Sequence, residues 1–273
     1  TDRYSGRNLT ISLPSLRIES FSVDLMEKLK GVRQGGFTLA PEAASDQMRN
    51  RINKPIQANQ LLATAHEIYS RGWSTLKLYF MIGQPGETMD DVQAIADLSK
   101  QVIVEGRKAI GKRANLHVGV STFVPKPHTP FQWASLDPLP TVLEKQNLLK
   151  DQLRGPGMKM TWSNPRETIL EAALSRGDRN LASVIETAWR KGAKFDAWQD
   201  QFNFNIWMDA FDTHGISPDF YTSRPRSADE PFPWDHIHTG VTRKFLLREY
   251  QRSLQGELTP DCREGCHACG ILT

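Results

Sequence analysis

No run of apolar residues in this 273-residue chain approaches the roughly 20 needed to cross a hydrocarbon core, which excludes a membrane span. Cysteine is scarce and uneven: there are three, none before Cys262. So few thiols cannot build a disulfide framework, and their clustering favours metal ligation. Neither sign of charge dominates, with 34 Lys and Arg against 31 Asp and Glu and a formal net charge of +3, too mild to demand nucleic acid. No internal repeat and no low-complexity tract interrupts the chain. An initiator Met and an apolar leader are also missing from the polar start at Thr1, so no signal peptide is read and a cytoplasmic protein is expected. What remains, at 39% hydrophobic content, is enough for a sizeable core and two structural units.

The first half alternates strand and helix patterns. Strands are predicted at 9–13, 37–40, 75–82 and 115–123, with helices at 23–29, 58–70, 89–108 and 139–153 between and after them. Such alternation implies a parallel sheet and an α/β fold. In the helix over 58–70, Leu61, Leu62, Ala65, Ile68 and Tyr69 share one face, which is core packing.

The most informative stretch is Phe80-Met81-Ile82-Gly83-Gln84-Pro85-Gly86-Glu87-Thr88, an apolar strand emptying into a glycine-bearing turn before a helix. Gly83 and Gly86 remove Cβ atoms where the chain turns, and Thr88 can cap the helix that follows. By itself this is an ordinary βα loop. Two other strand ends match it: Phe37-Thr38-Leu39-Ala40 runs into Pro41-Glu42-Ala43-Ala44-Ser45, and the strand ending at Phe123 runs into Val124-Pro125-Lys126-Pro127-His128-Thr129-Pro130-Phe131. Polar or Gly/Pro-rich sequence thus recurs where a βα barrel places its active site.

The succession TLAPEAAS, LKLYFMIGQPGET and STFVPKPHTPFQW resembles the fourth, fifth and sixth strands of a radical S-adenosylmethionine (SAM) enzyme barrel, of the type found beside a cobalamin-binding domain. The resemblance covers roughly residues 8–137 and implies a (βα)6 partial TIM barrel, in which a 4Fe-4S cluster cleaves SAM to a 5′-deoxyadenosyl radical. It also implies that Gly83, Gln84, Pro85 and Gly86 lend backbone groups to the adenine, with Glu87 in the same loop. Glu42 would meet the ribose or amino group of SAM. As a plain strand-end acid, Glu42 would instead serve the dipole of the next helix. Glu87 can likewise simply cap the turn.

The chain departs from that family in one respect. The Cys-x3-Cys-x2-Cys expected just after the first barrel strand is absent, and the strand at 9–13 would correspond to the third. The chain is therefore expected to be the C-terminal part of a longer protein and inactive alone, with the main cluster ligands, and cobalamin where used, in the missing N-terminal part. Residues 1–155 would form barrel strands 3 to 6, and residues 156–273 a mainly helical region with a Cys-rich tail, divided near Gly155-Pro156-Gly157.

In the second region Met158-Lys159-Met160-Thr161-Trp162 reads as a last strand, with helices at 166–174 and 181–190. Trp189, Phe195, Trp198, Phe202, Phe204, Trp207, Met208 and Phe211 form an aromatic-dense stretch, read as helix-packing core rather than a base-stacking surface. The tail Cys262-Arg263-Glu264-Gly265-Cys266-His267-Ala268-Cys269-Gly270 brings three soft ligands onto one tight loop. An auxiliary iron-sulfur cluster, a zinc site completed by His267 or another residue, a displaced SAM cluster and inert cysteines all remain open.

Arg49, Lys54 and Lys126 are further candidates for the SAM carboxylate or an acidic substrate, Ser15 and Arg17 for the pocket, and Asp235-His236-Ile237-His238 for a metal, though each suits an ordinary solvated surface as well. No residue is assigned as catalytic acid, base or nucleophile, and the substrate is unread. Two readings compete with the first: a tRNA-modifying radical SAM enzyme, which would need a basic RNA-binding surface, and a non-enzymatic, metal-stabilised binding module around the terminal cysteines.

Overall fold

The computed structural model describes residues 37–271. The strand read at 9–13, the helix at 23–29 and the candidates Ser15 and Arg17 lie outside the described residues. The chain divides into two compact units that interleave along the sequence, one built from residues up to Ser121 with Glu144–Trp162, the other from Thr122–Leu143 with Ser163 onward.

The first unit is α/β. Strands β1 (Phe37–Glu42), β2 (Thr75–Ile82), β3 (Asn115–Thr122) and β4 (Met158–Trp162) lie in the order β1-β2-β3-β4. The sheet is parallel: Thr38 pairs with Lys77 and Leu39 with Leu78 across β1 and β2, and His117 pairs with Lys159 and Gly119 with Thr161 across β3 and β4. The Asn115 N–H donates to the Ser74 carbonyl at 2.7 Å, which sets Lys77 level with His117 and Tyr79 level with Gly119. Helices α1 (Asp46–Arg51), α2 (Ala58–Ser70) and α3 (Met89–Ile110) fill the connections, as the alternation predicted.

The strands alternate because one face is covered. Leu39, Leu76, Leu78, Phe80, Ile82, Leu116 and Val118 are buried together with Ile68 of α2 and with Val92, Ile95 and Val102 of α3. Burying each such side chain contributes roughly 1.5–3 kcal/mol. Helices α2 and α3 pack on each other, and Gly106 makes that fit, since a Cβ there would lie 2.7 Å from the Tyr69 ring. Each helix starts where its cap falls. Ser45 accepts from the Met48 N–H at 3.2 Å, and Thr88 with Asp91 closes a capping box at the start of α3. Helix α4 (Leu139–Gln152) follows β3 and leads to β4.

Past Trp162 the described residues hold helices and irregular chain but no strand: α5 (Pro165–Arg176), α6 (Leu181–Arg190), α7 (Phe204–Thr213), α8 (Pro218–Tyr221) and α9 (Arg243–Gln255). In the second unit one apolar cluster joins Val184 and Ala188 of α6 to Trp207, Ala210 and Phe211 of α7, and another gathers Trp133, Phe232, Trp234 and Leu246. The expectation that the whole aromatic stretch is core holds only in part. Trp207 and Phe211 are buried, but Trp189, Phe195 and Trp198 are 56%, 69% and 61% exposed. Helix α6 buries the stripe Leu181, Val184 and Ala188, and Trp189 falls one residue, about 100°, off it. Phe195 and Trp198 pack edge-to-face on each other at 5.8 Å instead. No described helix is long and apolar enough to cross a membrane.

Candidate functional site at the mouth of the sheet

Two adjacent parallel strands end side by side, so the turn after β1 and the turn after β2 open at one edge. Their backbones share an unusual geometry. Glu42 takes φ 65, Gly83 φ 82 and Gly86 φ 74, the left-handed region that glycine enters freely and a side chain only at a cost. The register also shifts between Leu39 and Glu42, which re-aims the end of β1.

Gln84 ties the two turns together. Its side chain is buried, and Nε2 donates to the carbonyls of Glu42 at 3.2 Å and Met81 at 3.3 Å. Two carbonyl partners fix that atom as the amide nitrogen, leaving Oε1 as a buried acceptor with no partner among the described residues.

Glu87 holds the loop from its other end. One carboxylate oxygen accepts the Gly83 N–H at 2.6 Å and the Lys145 ammonium at 2.8 Å. Both side chains are almost fully buried, Lys145 at 5% and Glu87 at 3% exposure. Helix α4 thus clamps a loop 58 residues away in sequence. From below, Arg51 donates to the Pro85 carbonyl at 2.9 Å, and its guanidinium fills the space a Cβ on Gly86 would need. Ser45 donates to Asp91 at 2.6 Å, joining the cap of α1 to that of α3. Burial raises the Asp91 pKa, but hydrogen bonds from Ser45 and Thr88 and the charge of Arg51 hold it below the usual carboxylate range.

The structure brings Glu42, Gly83, Gln84, Pro85, Gly86 and Glu87 together at this edge. What the loop can offer a ligand is narrower than the backbone groups expected of it. The Gly83 N–H belongs to Glu87, the Pro85 carbonyl to Arg51, and the Gln84 carbonyl to the Glu87 N–H at 3.0 Å. Acceptors remain on side chains: Gln84 Oε1, and the Glu42 carboxylate 3.5 Å from Lys54. A buried acceptor without a partner and a strand-end carboxylate can each accept from hydroxyl or amino donors of a ligand.

The other candidates scatter. Arg49 is buried and structural, donating to the Ala44 carbonyl at 2.6 Å and pairing with Asp46, so it is withdrawn as a ligand for a carboxylate. Lys54 stays at the mouth, on the Ala40 carbonyl and near Glu42. In the second unit Lys126 is exposed on Glu171, and Asp235 is engaged by the Phe232 N–H at 2.8 Å and Arg243 at 2.6 Å, while His236 and His238 are exposed. Cys262 and Cys266 are exposed free thiols and Cys269 is half-buried. Among the described residues, no group of three or more His, Cys, Asp and Glu is placed to hold a metal ion.

Sequence reasoning missed Lys145 and Arg51. Both act through long-range packing that no local spacing signals, although a lysine at a buried position of an amphipathic helix is the cue for the first.

The fold and the mouth together define an α/β protein whose parallel sheet fits part of an α/β barrel. No protein-family model matches the chain. It is 32% identical over 176 residues to an uncharacterized protein of Methanocaldococcus jannaschii, a match covering 64% of this chain and 37% of that protein. The chain thus spans well under half the length of that relative.

Proposed function

We propose that this chain is the sheet-bearing part of a radical SAM enzyme, of the type associated with a cobalamin-binding domain, and that its sheet belongs to a (βα)6 partial barrel. One observation supports this above the others. Two adjacent strand ends are joined through Gln84, and its Oε1 and the Glu42 carboxylate lie at the edge where a βα barrel acts. Held with a 4Fe-4S cluster, SAM supplies a 5′-deoxyadenosyl radical, and that hard chemistry belongs to the cofactors.

This chain's residues bind and orient. Gln84 Oε1 and Glu42 accept from SAM. Glu87, Lys145 and Arg51 keep the loop in the shape that presents them. The cysteines 262, 266 and 269 are proposed to take one metal centre, iron-sulfur or zinc, only once the tail closes around it.

The complete protein, reconstituted anaerobically with iron and sulfide, is expected to convert SAM to 5′-deoxyadenosine and methionine under a low-potential reductant. Gly83→Val is expected to weaken SAM binding more than it lowers the melting temperature. Absence of both products in a cluster-loaded protein overturns the proposal, and equal losses in binding and folding return Gly83 to a purely structural role.

A further inference from the structure

Parallel sheets are ordinarily covered on both faces, because their crossovers lay helices on each side or close the sheet into a packed barrel. Here α2 and α3 cover one face. The opposite face is polar. Successive rows across the strands read Thr38, Lys77, His117 and Lys159, then Tyr79, Gly119 and Thr161, then Met81 and Ser121. A second layer of helices would bury apolar residues at these positions.

The first row places a lysine on either side of a histidine on three neighbouring strands, so that two positive charges about 9.6 Å apart, two strand spacings, flank one imidazole. None of the side chains of Lys77, His117 and Lys159 has a hydrogen-bond or ion-pair partner among the described residues. The next row is shaped for a ring. Tyr79 is 45% exposed and its ring lies against Gly119, where a Cβ would come within 2.7 Å of it. Glycine at 119 therefore makes room for the tyrosine ring against the sheet, with the ring partly exposed.

We propose that this face binds the substrate of the enzyme, a ring-bearing small molecule carrying a phosphate or carboxylate, with the anion held by Lys77, His117 and Lys159 and the ring laid along Tyr79. The inference rests on the functional reading above and adds the class of substrate. Lysine suits it, being a compact charge that serves an anion without a fixed approach angle. Lys77 lies six residues before Gly83, about 20 Å of extended strand at roughly 3.3 Å per residue. The anion is thus an anchor remote from the mouth, and the substrate is elongated.

The test uses the complete protein with phenyl phosphate and benzoate as probes, followed by calorimetry and thermal melting. At least one probe is expected to bind and to raise the melting temperature. The Lys77→Gln/Lys159→Gln variant, which removes two charge contacts, is expected to bind it at least ~10-fold more weakly. Without a probe, this variant should melt at the same temperature as the wild type or higher, since a repulsion has been removed. A lower melting temperature shows that the lysines are paired with acids elsewhere in the protein and overturns the proposal. So does binding of neither probe, or unchanged affinity in a variant that still binds SAM. Phosphate and carboxylate are separated by which probe binds more tightly. If anion binding stands while 5′-deoxyadenosine is never formed, the radical reading falls and the anion site survives; the reverse result removes only the site.

Discussion

The mouth loop and the cysteine tail are both turns that rely on glycine, Gly86 at φ 74 and Gly270 at φ 106, yet they are finished to different degrees. In the loop nearly every polar group is met from within: Glu87 by Gly83 and Lys145, Pro85 by Arg51, Gln84 by Glu42. In the tail the thiols of Cys262 and Cys266 stand exposed. That segment is held by Arg263 on Asp261 within it and, at its margin, by the Thr242 N–H donating to the Cys269 carbonyl at 2.8 Å and Arg248 to that of His267. The contrast separates two ways of making a site. The loop is shaped by packing alone, whereas the tail, on the proposal made above, would be closed only by a bound group.

Removing one partner of the buried pair tests the loop most severely. Lys145→Met leaves the Glu87 carboxylate short of its ammonium in a nearly dry place, and a broken buried pair typically costs about 3–5 kcal/mol. Other contacts of Glu87 should reduce this, so a loss of about 3 kcal/mol in urea unfolding is expected. The same measurement on Cys262→Ser/Cys266→Ser without metal should change stability by less than about 0.5 kcal/mol, as for exposed positions generally. Similar losses in the two variants would break the comparison.

A smaller effect attaches to Gly86. Alanine there meets both a left-handed backbone and the Arg51 guanidinium, whose nearest nitrogen lies 1.7 Å from the added carbon. Gly86→Ala should cost about 2 kcal/mol, and in an Arg51→Ala background clearly less, because the steric part is gone and only the backbone part of roughly 1 kcal/mol remains. Additive losses would show that Arg51 moves aside freely and does not support the loop.

The tail is sharpened by composition rather than stability. Anaerobically purified protein should carry a metal that the triple serine variant lacks and that Glu87→Gln retains, with zinc and iron-sulfide told apart by stoichiometry and absorption. Equal metal in wild type and triple variant would make the cysteines inert.

Local signals made the elements around the mouth legible. Apolar alternation gave β2 its bounds at Thr75–Ile82, and the cap at Thr88 marked the start of α3. Long-range partners were not legible. Lys145 meets Glu87 only because α4 packs where it does: its own window can hint at a buried lysine but not at its partner. Helix α9 hid for a different reason: with Arg243, Lys244, Arg248, Glu249 and Arg252 in 13 residues, its charges mask the face formed by Leu246, Leu247 and Tyr250. The polar sheet face was readable in principle, since Lys77, Tyr79 and His117 alternate with buried neighbours. It takes the register of three strands to show that Lys77, His117 and Lys159 form one row.

The smallest expected effect concerns that row and turns on a sign. Partial burial first, then the charges of Lys159 and Lys77 from the neighbouring strands, hold the His117 pKa below the ordinary histidine value near 6.5. The unfolded chain therefore takes up a proton at a higher pH than the folded one. Between the folded value and about 6.5 the unfolded state binds more protons, so folding stability rises with pH there. The contribution is complete above about 6.5 and is lost as the pH falls through the folded value. Chemical unfolding of wild type and His117→Gln at a series of pH values should show the wild type losing ground below pH 6.5, and Lys77→Gln/Lys159→Gln should flatten that difference. A bound anion should reverse the slope, because it favours the imidazolium that the lysines disfavour. A pH dependence that ignores both the lysines and the anion would mean that burial alone sets the titration and that the row does not act as a unit.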